Sequence, residues 1–325
     1  MAQASTTEQR RAVHIPVDLA LMNGDRRFRT WTWLLLVWLW AGMPVLQAQA
    51  QIRVRDDSGH WITLAHPARR IVSLAPNITE VLFAVGAGGR VVGTIGGSDY
   101  PPAARAIPRV GRYDALDLET IVAMRPDLVV AWGSGSPRGQ VARLRAFGIP
   151  VYRSESHNLM GVASTMRRLA RLAGAEAQAR PAIDAYLRGY RRLAKEYSGR
   201  SPVRVFYQIW NRPLMTVAGR HLISHVIRLC GGRNVFADAR GLTPQVGIEA
   251  VLARDPQVIV ASGIGGRRPP WLDDWKRWPA LAAVRDGQLY FIPADLINQA
   301  TPRILQGARR LCRQLQRARA AAAGQ

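Results

Sequence analysis

Tyr100, Tyr113, Trp132 and Trp210 each stand at the end of a stretch that reads as a β-strand, or in the loop that follows it. In open α/β sheets, ligands bind beyond the carboxyl ends of the strands. Large flat side chains gathered there suit a large, partly apolar ligand held by few fixed hydrogen bonds. Any one of the four could instead fill a core; their shared placement favours a cleft. The chemistry on offer is binding. The sequence has no nucleophile elbow, no phosphate-cradling loop with its lysine and no H-E-x-x-H pair. Gly86–Gly89 and Gly96-Gly97 do not fit the dinucleotide fingerprint and read as turns. Carboxylates are few and dispersed, so no catalytic residue is assigned and an enzyme is not expected. His221 and His225 are spaced i, i+4 and could share a helix face as metal ligands. No further ligand set assembles around them, so solvent-exposed histidines are the better reading and no metal is expected. Trp271, Trp275 and Trp278 have helical spacing and should pack their segment onto its own lobe.

A second pattern concerns acids. The stretch 118–133, LETIVAMRPDLVVAWG, is echoed 130 positions later by 248–263, IEAVLARDPQVIVASG. Each reads as a short helix stopped by proline, followed by an apolar β-branched run of the kind found in buried parallel strands. Each carries a glutamate at the matching place, Glu119 and Glu249. The duplication predicts two similar α/β lobes, each with an exposed acid near a helix start. Such a molecule is built to hold something between its lobes and to present both to a partner.

The elements that position these residues follow from periodicity. Gln51–Arg55 and Trp61–Leu64 read as a hairpin (51–66). A first lobe (67–158) takes strands at Arg70–Leu74, Arg90–Thr94, Leu128–Ala131 and Val151-Tyr152. Its helices fall at Ile78–Val85, with Asn77 and Glu80 spaced as a capping box, and at Gln140–Phe147. A connecting region (159–200) holds helices over Leu159–Ala173 and Glu176–Tyr197. In the second of these, Ile183, Tyr186, Leu187, Tyr190, Leu193, Ala194 and Tyr197 line one face. At 1.5 Å per residue it spans about 33 Å, enough to cross the backs of both lobes. The second lobe (201–325) repeats the plan with a strand at Val203–Gln208, a helix at His221–Cys230, a strand at Leu289–Ile292 and a helix at Pro302–Arg319. A continuous helix resists hinge bending, so a largely preformed cleft is expected. The fold class is α/β: two Rossmann-like lobes with central parallel sheets, joined by one long helix.

The chain has 325 residues, 48% of them hydrophobic, with a net charge of +23. That describes a globular protein with a basic, solvated surface; no nucleic-acid recognition motif accompanies the charge. Residues 1–50 have the layout of a signal peptide: Arg26, Arg27 and Arg29, an apolar run from Trp31 to Gly42, and Ala48-Gln49-Ala50 as a cleavage site. Met22 is an alternative start, and an uncleaved anchor is the alternative to cleavage. In an exported protein the only two cysteines, Cys230 and Cys312, are candidates for a disulfide rather than two buried thiols.

The chain resembles the periplasmic cobalamin-binding proteins that serve vitamin B12 ABC importers, a branch of the helical-backbone (class III) substrate-binding proteins. The resemblance runs from about Arg70 to Arg317. It rests on the segments SLAPNITE at 73–80, SDYPP at 98–102, PDLVVAW at 126–132, CGGRNVF at 230–236, PQV at 244–246 and ATPRI at 300–304. It implies that Tyr100, Tyr113 and Trp132 line a corrin site, with Tyr113 standing where the family has tryptophan. It also implies that Cys230 and Cys312 pair, and that Glu119 and Glu249 dock on arginines of an inner-membrane permease driven by its ATPase. The protein is then a monomer that needs no cofactor and whose ligand is cobalamin or a related corrinoid. The departures lie in the second lobe. Thr243 stands in place of a tryptophan. Asp295 matches the family's acid near the cleft, but Leu296 and Gln299 replace its tryptophan and arginine. Trp210 is outside the pattern and could restore aromatic area. These changes keep two alternatives open: a haem-binding protein with a tyrosine axial ligand near Tyr113, and a metal- or siderophore-import binding protein.

Overall fold

The computed structural model describes residues 51–323, so the signal-peptide expectation for residues 1–50 lies outside them. The described chain opens with an antiparallel hairpin, β1 (Ile52–Arg55) and β2 (Trp61–Leu64). The first lobe follows: β3 (Ile71–Ser73), α1 (Pro76–Ala84), β4 (Val91–Thr94), α2 (Leu118–Ala123), β5 (Leu128–Trp132), α3 (Arg138–Ala146) and β6 (Val151–Ser154). Two helices then connect the lobes, α4 (Leu159–Ala173) and α5 (Glu176–Tyr197). The second lobe comprises β7 (Val203–Gln208), α6 (Leu222–Leu229), β8 (Gly232–Asn234), α7 (Ile248–Arg254), β9 (Val258–Gly263), α8 (Ala282–Arg285), β10 (Leu289–Pro293), α9 (Ala294–Ile297) and α10 (Ile304–Ala323).

Both central sheets are four-stranded and parallel, ordered β4-β3-β5-β6 and β8-β7-β9-β10. Counting strands within each lobe, the order is the same, 2-1-3-4. The duplication read from the sequence extends to fine backbone detail. The only non-glycine residues with positive φ among the described residues are Arg125 (46°) and Asp255 (37°), 130 positions apart and each followed by proline. Just beyond, the Asp127 amide donates to the Arg70 carbonyl and the Gln257 amide to the Arg204 carbonyl, both at 2.9 Å. The same two side chains return the bond: Asp127 Oδ2 accepts from the Arg70 amide and Gln257 Oε1 from the Arg204 amide. Each lobe thus ties its first strand to its third by the same device.

One hydrophobic core runs through both lobes. It includes Ile71, Leu82 and Val130 in the first lobe, Met166, Leu169, Ile183 and Tyr186 in the connecting helices, and Val205, Ile227 and Leu311 in the second. The Tyr186 hydroxyl donates to the Leu159 carbonyl at 2.8 Å, joining α5 to the start of α4. Cys230, which ends α6, is disulfide-bonded to Cys312 in α10. The expected strut is therefore welded to both sheets by continuous packing, the property that opposes hinge bending.

Three local expectations are corrected. Asn77 and Glu80 do not form a capping box: α1 begins at Pro76, its N-cap is Ala75 with no side-chain bond, and Glu80 is engaged elsewhere. The helix starts earlier than the spacing implied: Asn77 is its second residue, inside the first turn, and so is not at the N-cap position that the box requires. His221 is not the first residue of α6 but its cap; its Nδ1 accepts from the Ile223 amide at 3.1 Å. The strand β8 was not anticipated, because three residues of Gly-Arg-Asn have little intrinsic strand preference and are held by pairing to β7.

Candidate ligand-binding site

The carboxyl ends of both sheets supply the residues singled out above. Trp132 is the last residue of β5, and Trp210 lies two residues beyond β7. In a 2-1-3-4 sheet the topological switch lies between strands 1 and 3, so these tryptophans leave strands that border it. Tyr100 follows β4, and Tyr113 lies in the loop before α2. Tyr100, Tyr113, Trp132 and Trp210 are 45%, 65%, 39% and 49% exposed. Of six aromatic side chains that open to solvent among the described residues, these are four. A fifth, Trp61, is on the hairpin beneath the Arg53 guanidinium.

Local contacts explain why these rings stay out of the core. The Trp132 amide donates to Ser136 Oγ at 3.0 Å, closing the turn that follows β5. The indole rests against Gly135, where a β-carbon would overlap it. Trp210 donates from Nε1 to the Arg212 carbonyl at 3.0 Å and is held over its own loop. Trp275 behaves differently. It is buried, meets Phe206 edge-on with centroids 5.6 Å apart, and donates from Nε1 to Gln208 Oε1 at 2.7 Å. The segment Pro270–Arg277 packs onto its lobe as expected, although it is a 3₁₀ helix.

Two of the expected residues meet through a third that sequence reasoning placed in a motif without a role. Arg303, just before α10, donates from Nε and Nη2 to Glu80 Oε1 and Oε2 at 2.9 and 2.6 Å. Its Nη1 donates to Asp295 Oδ2 at 3.1 Å, and its Cζ lies 3.7 Å from the Tyr100 ring centroid. Glu80 and Tyr100 belong to the first lobe, Arg303 and Asp295 to the second. The carboxyl ends of the two sheets therefore face each other across this contact. Trp132, Tyr113 and Trp210 form no aromatic ring pair with one another among the described residues. Thr243 is exposed, whereas Leu296 is buried.

Glu119 and Glu249 are the second residues of α2 and α7, at equivalent points of the two lobes. Both are exposed, and neither has an ion-pair partner among the described residues. His221 and His225 are not the exposed pair expected. Both are half-buried, and burial with His157 nearby pushes the His221 imidazole down to about 4. Packing of α6 against the core places them there, and one ring nitrogen of His221 is spent on the cap. Among the described residues no three His, Cys, Asp or Glu side chains converge to hold a metal ion, and no helix is long and apolar enough to cross a membrane.

Comparison with known proteins bears on the fold and the family. Residues 71–296 match the family described as periplasmic binding protein. A vitamin B12-binding protein of Vibrio cholerae is 36% identical over 247 residues, covering 76% of this chain and 88% of that one. The crystal structure of the periplasmic vitamin B12 binding protein of Vibrio cholerae superposes with a TM-score of 0.72 at 35% identity, over 78% of this chain and 98% of that one. A periplasmic haem-binding protein of Roseiflexus, at 24% identity and a TM-score of 0.64 over 77% of this chain and 99% of that one, shares the fold. The chain belongs to the periplasmic binding protein family, as a helical-backbone member homologous to the vitamin B12-binding proteins.

Proposed function

We propose that this periplasmic protein captures cobalamin or a related corrinoid between its lobes and delivers it to an inner-membrane ABC permease with its ATPase. The observation that carries the reading is the row of exposed aromatic rings at the carboxyl ends of both parallel sheets, in a chain 36% identical to vitamin B12-binding proteins. Tyr100, Tyr113 and Trp132 form the first lobe's side of the site; Trp210 and Asp295 form the second's. Rings offer apolar faces to a macrocycle, where burial of a large side chain contributes roughly 1.5–3 kcal/mol. Asp295, exposed and oriented by Arg303, is an acceptor for the amide N–H groups that fringe a corrin. No bond is made or broken; the work is capture and docking, with Glu119 and Glu249 as the acids that engage permease arginines.

Titration with cyanocobalamin and, separately, hemin tests this. Tight binding of cyanocobalamin with quenching of tryptophan fluorescence is expected. Binding of hemin alone, with a Soret band altered by Tyr113→Phe, would transfer the site to haem.

A further inference from the structure

The ion pair between Glu80 and Arg303 joins positions 223 residues apart and crosses from one lobe to the other. Its carboxylate is 4% exposed and its guanidinium 16%. The pair is bidentate, the geometry that fixes orientation as well as distance. Each end is anchored in its own lobe. On the first, Thr79 Oγ1 bonds Ser73 Oγ and Thr94 Oγ1, both at 2.8 Å, which pins α1 to β3 and β4 beside Glu80. On the second, Gly307 lets α10 approach the Leu296 carbonyl so closely that a β-carbon would collide with it. That approach sets Arg303 next to Asp295. A buried ion pair adds little net stability compared with apolar packing, so what it supplies is a defined geometry.

We propose that Arg303 is an inter-lobe clasp: through Glu80 it sets the spacing of the cleft walls, and from the same guanidinium it positions Tyr100 and Asp295 at the rim. One cation serves three partners. Two of its nitrogens face Glu80, a third holds the Asp295 carboxylate, and the planar face lies against Tyr100, where a guanidinium is attracted to the ring. The covalent strut runs through the connecting helices, while the clasp acts at the sheet ends where the ligand enters. Together they hold the lobes at two separated points, which blocks rotation as well as bending. The roles given to Tyr100 and Asp295 rest on the reading of the cleft as a corrinoid site; the clasp itself does not.

The spacing is measurable without ligand. Spin labels at Ala146→Cys and Ala280→Cys, both exposed, report the lobe-to-lobe distance by pulsed electron resonance, the native cysteines being buried and paired. One narrow distribution is expected for the parent protein, broadened or shifted by Glu80→Gln and by Arg303→Gln. Asp295→Asn, which cuts only a bond within the second lobe, should leave the distance alone. If Arg303→Gln does not fold, Arg303→Lys decides, because it keeps the charge and loses the fork. Distances unchanged in folded Glu80 and Arg303 variants would overturn the clasp. Cyanocobalamin affinity should fall roughly 5- to 100-fold in Arg303→Gln, the usual range for coupling between sites. Failure of the parent protein to bind cyanocobalamin would remove the corrinoid reading and leave the distance result to judge the clasp.

Discussion

The indole of Trp132 occupies the space that a β-carbon at Gly135 would need. The turn from β5 into α3 therefore accepts glycine at 135 because the ring lies there, and the ring is aimed by that turn. Adding one methyl group should push the indole off its seat without touching the sheet. Gly135→Ala is expected to weaken cyanocobalamin binding, and Trp132→Ala to weaken it by roughly 1–3 kcal/mol, the scale of a large buried side chain. Calorimetric titration of both variants checks this; an affinity unchanged in Trp132→Ala removes that residue from the site.

Exchange of charge at the lobe tips should separate docking from capture. Glu119 and Glu249 are exposed, stand in the first turns of α2 and α7 and take no part in an ion pair among the described residues. The double variant Glu119→Arg, Glu249→Arg is expected to bind ligand as before and to lose association with the permease in nanodiscs, since a like-charge contact replaces an attractive one. Each single variant should retain partial association, because the other lobe still engages. Full association of the double variant would refute the docking role.

Much of this architecture was legible because it is written locally. The α4 and α5 boundaries follow from helical periodicity, from Asn158 capping Gly161 and from Gly174 in the left-handed conformation. The duplication announced two lobes, and its trace persists at Arg125 and Asp255. The Glu80–Arg303 pair was illegible for the opposite reason. Asn77 offered Glu80 a partner three residues away, and short-range spacing carries no information about an arginine 223 positions on. His221 was misplaced for a similar reason: a histidine beside an apolar run looks like part of the helix, whereas only the backbone geometry shows its ring capping it. Trp210 was expected just after its strand and lies two residues beyond β7, although the family pattern does not contain it.

Reduction should cost the second lobe more than the first. Cys230 and Cys312 are fully buried and close a loop of 82 residues between α6 and α10. Opening it releases denatured-state entropy equivalent to roughly 4–5 kcal/mol in the chain-entropy treatment. Urea unfolding of the protein with both cysteines changed to alanine should show a loss of that order. A midpoint matching the parent protein would mean that the core through Ile227, Leu311 and Leu315 suffices to hold α10 in place.

Acid should destabilise the fold through His221. Its Nδ1 accepts the Ile223 amide, so the cap requires an unprotonated nitrogen, and burial holds the imidazole down to about 4 against an ordinary 6.5. His225 is shifted in the same direction by burial and then by Arg228. Between pH 6.5 and 4 the unfolded chain binds the proton that the folded chain refuses, so stability rises with pH across that window and falls as pH drops through it. The full difference for His221 is roughly 3 kcal/mol, of which about 2 is lost by pH 5. His221→Asn keeps a good capping side chain and cannot titrate. The gap between parent and variant in urea-unfolding free energy should therefore change by about 2 kcal/mol from pH 7 to pH 5, in favour of the variant. Parallel pH profiles for the two proteins would show that His221 is protonated equally in both states and that the cap tolerates the proton.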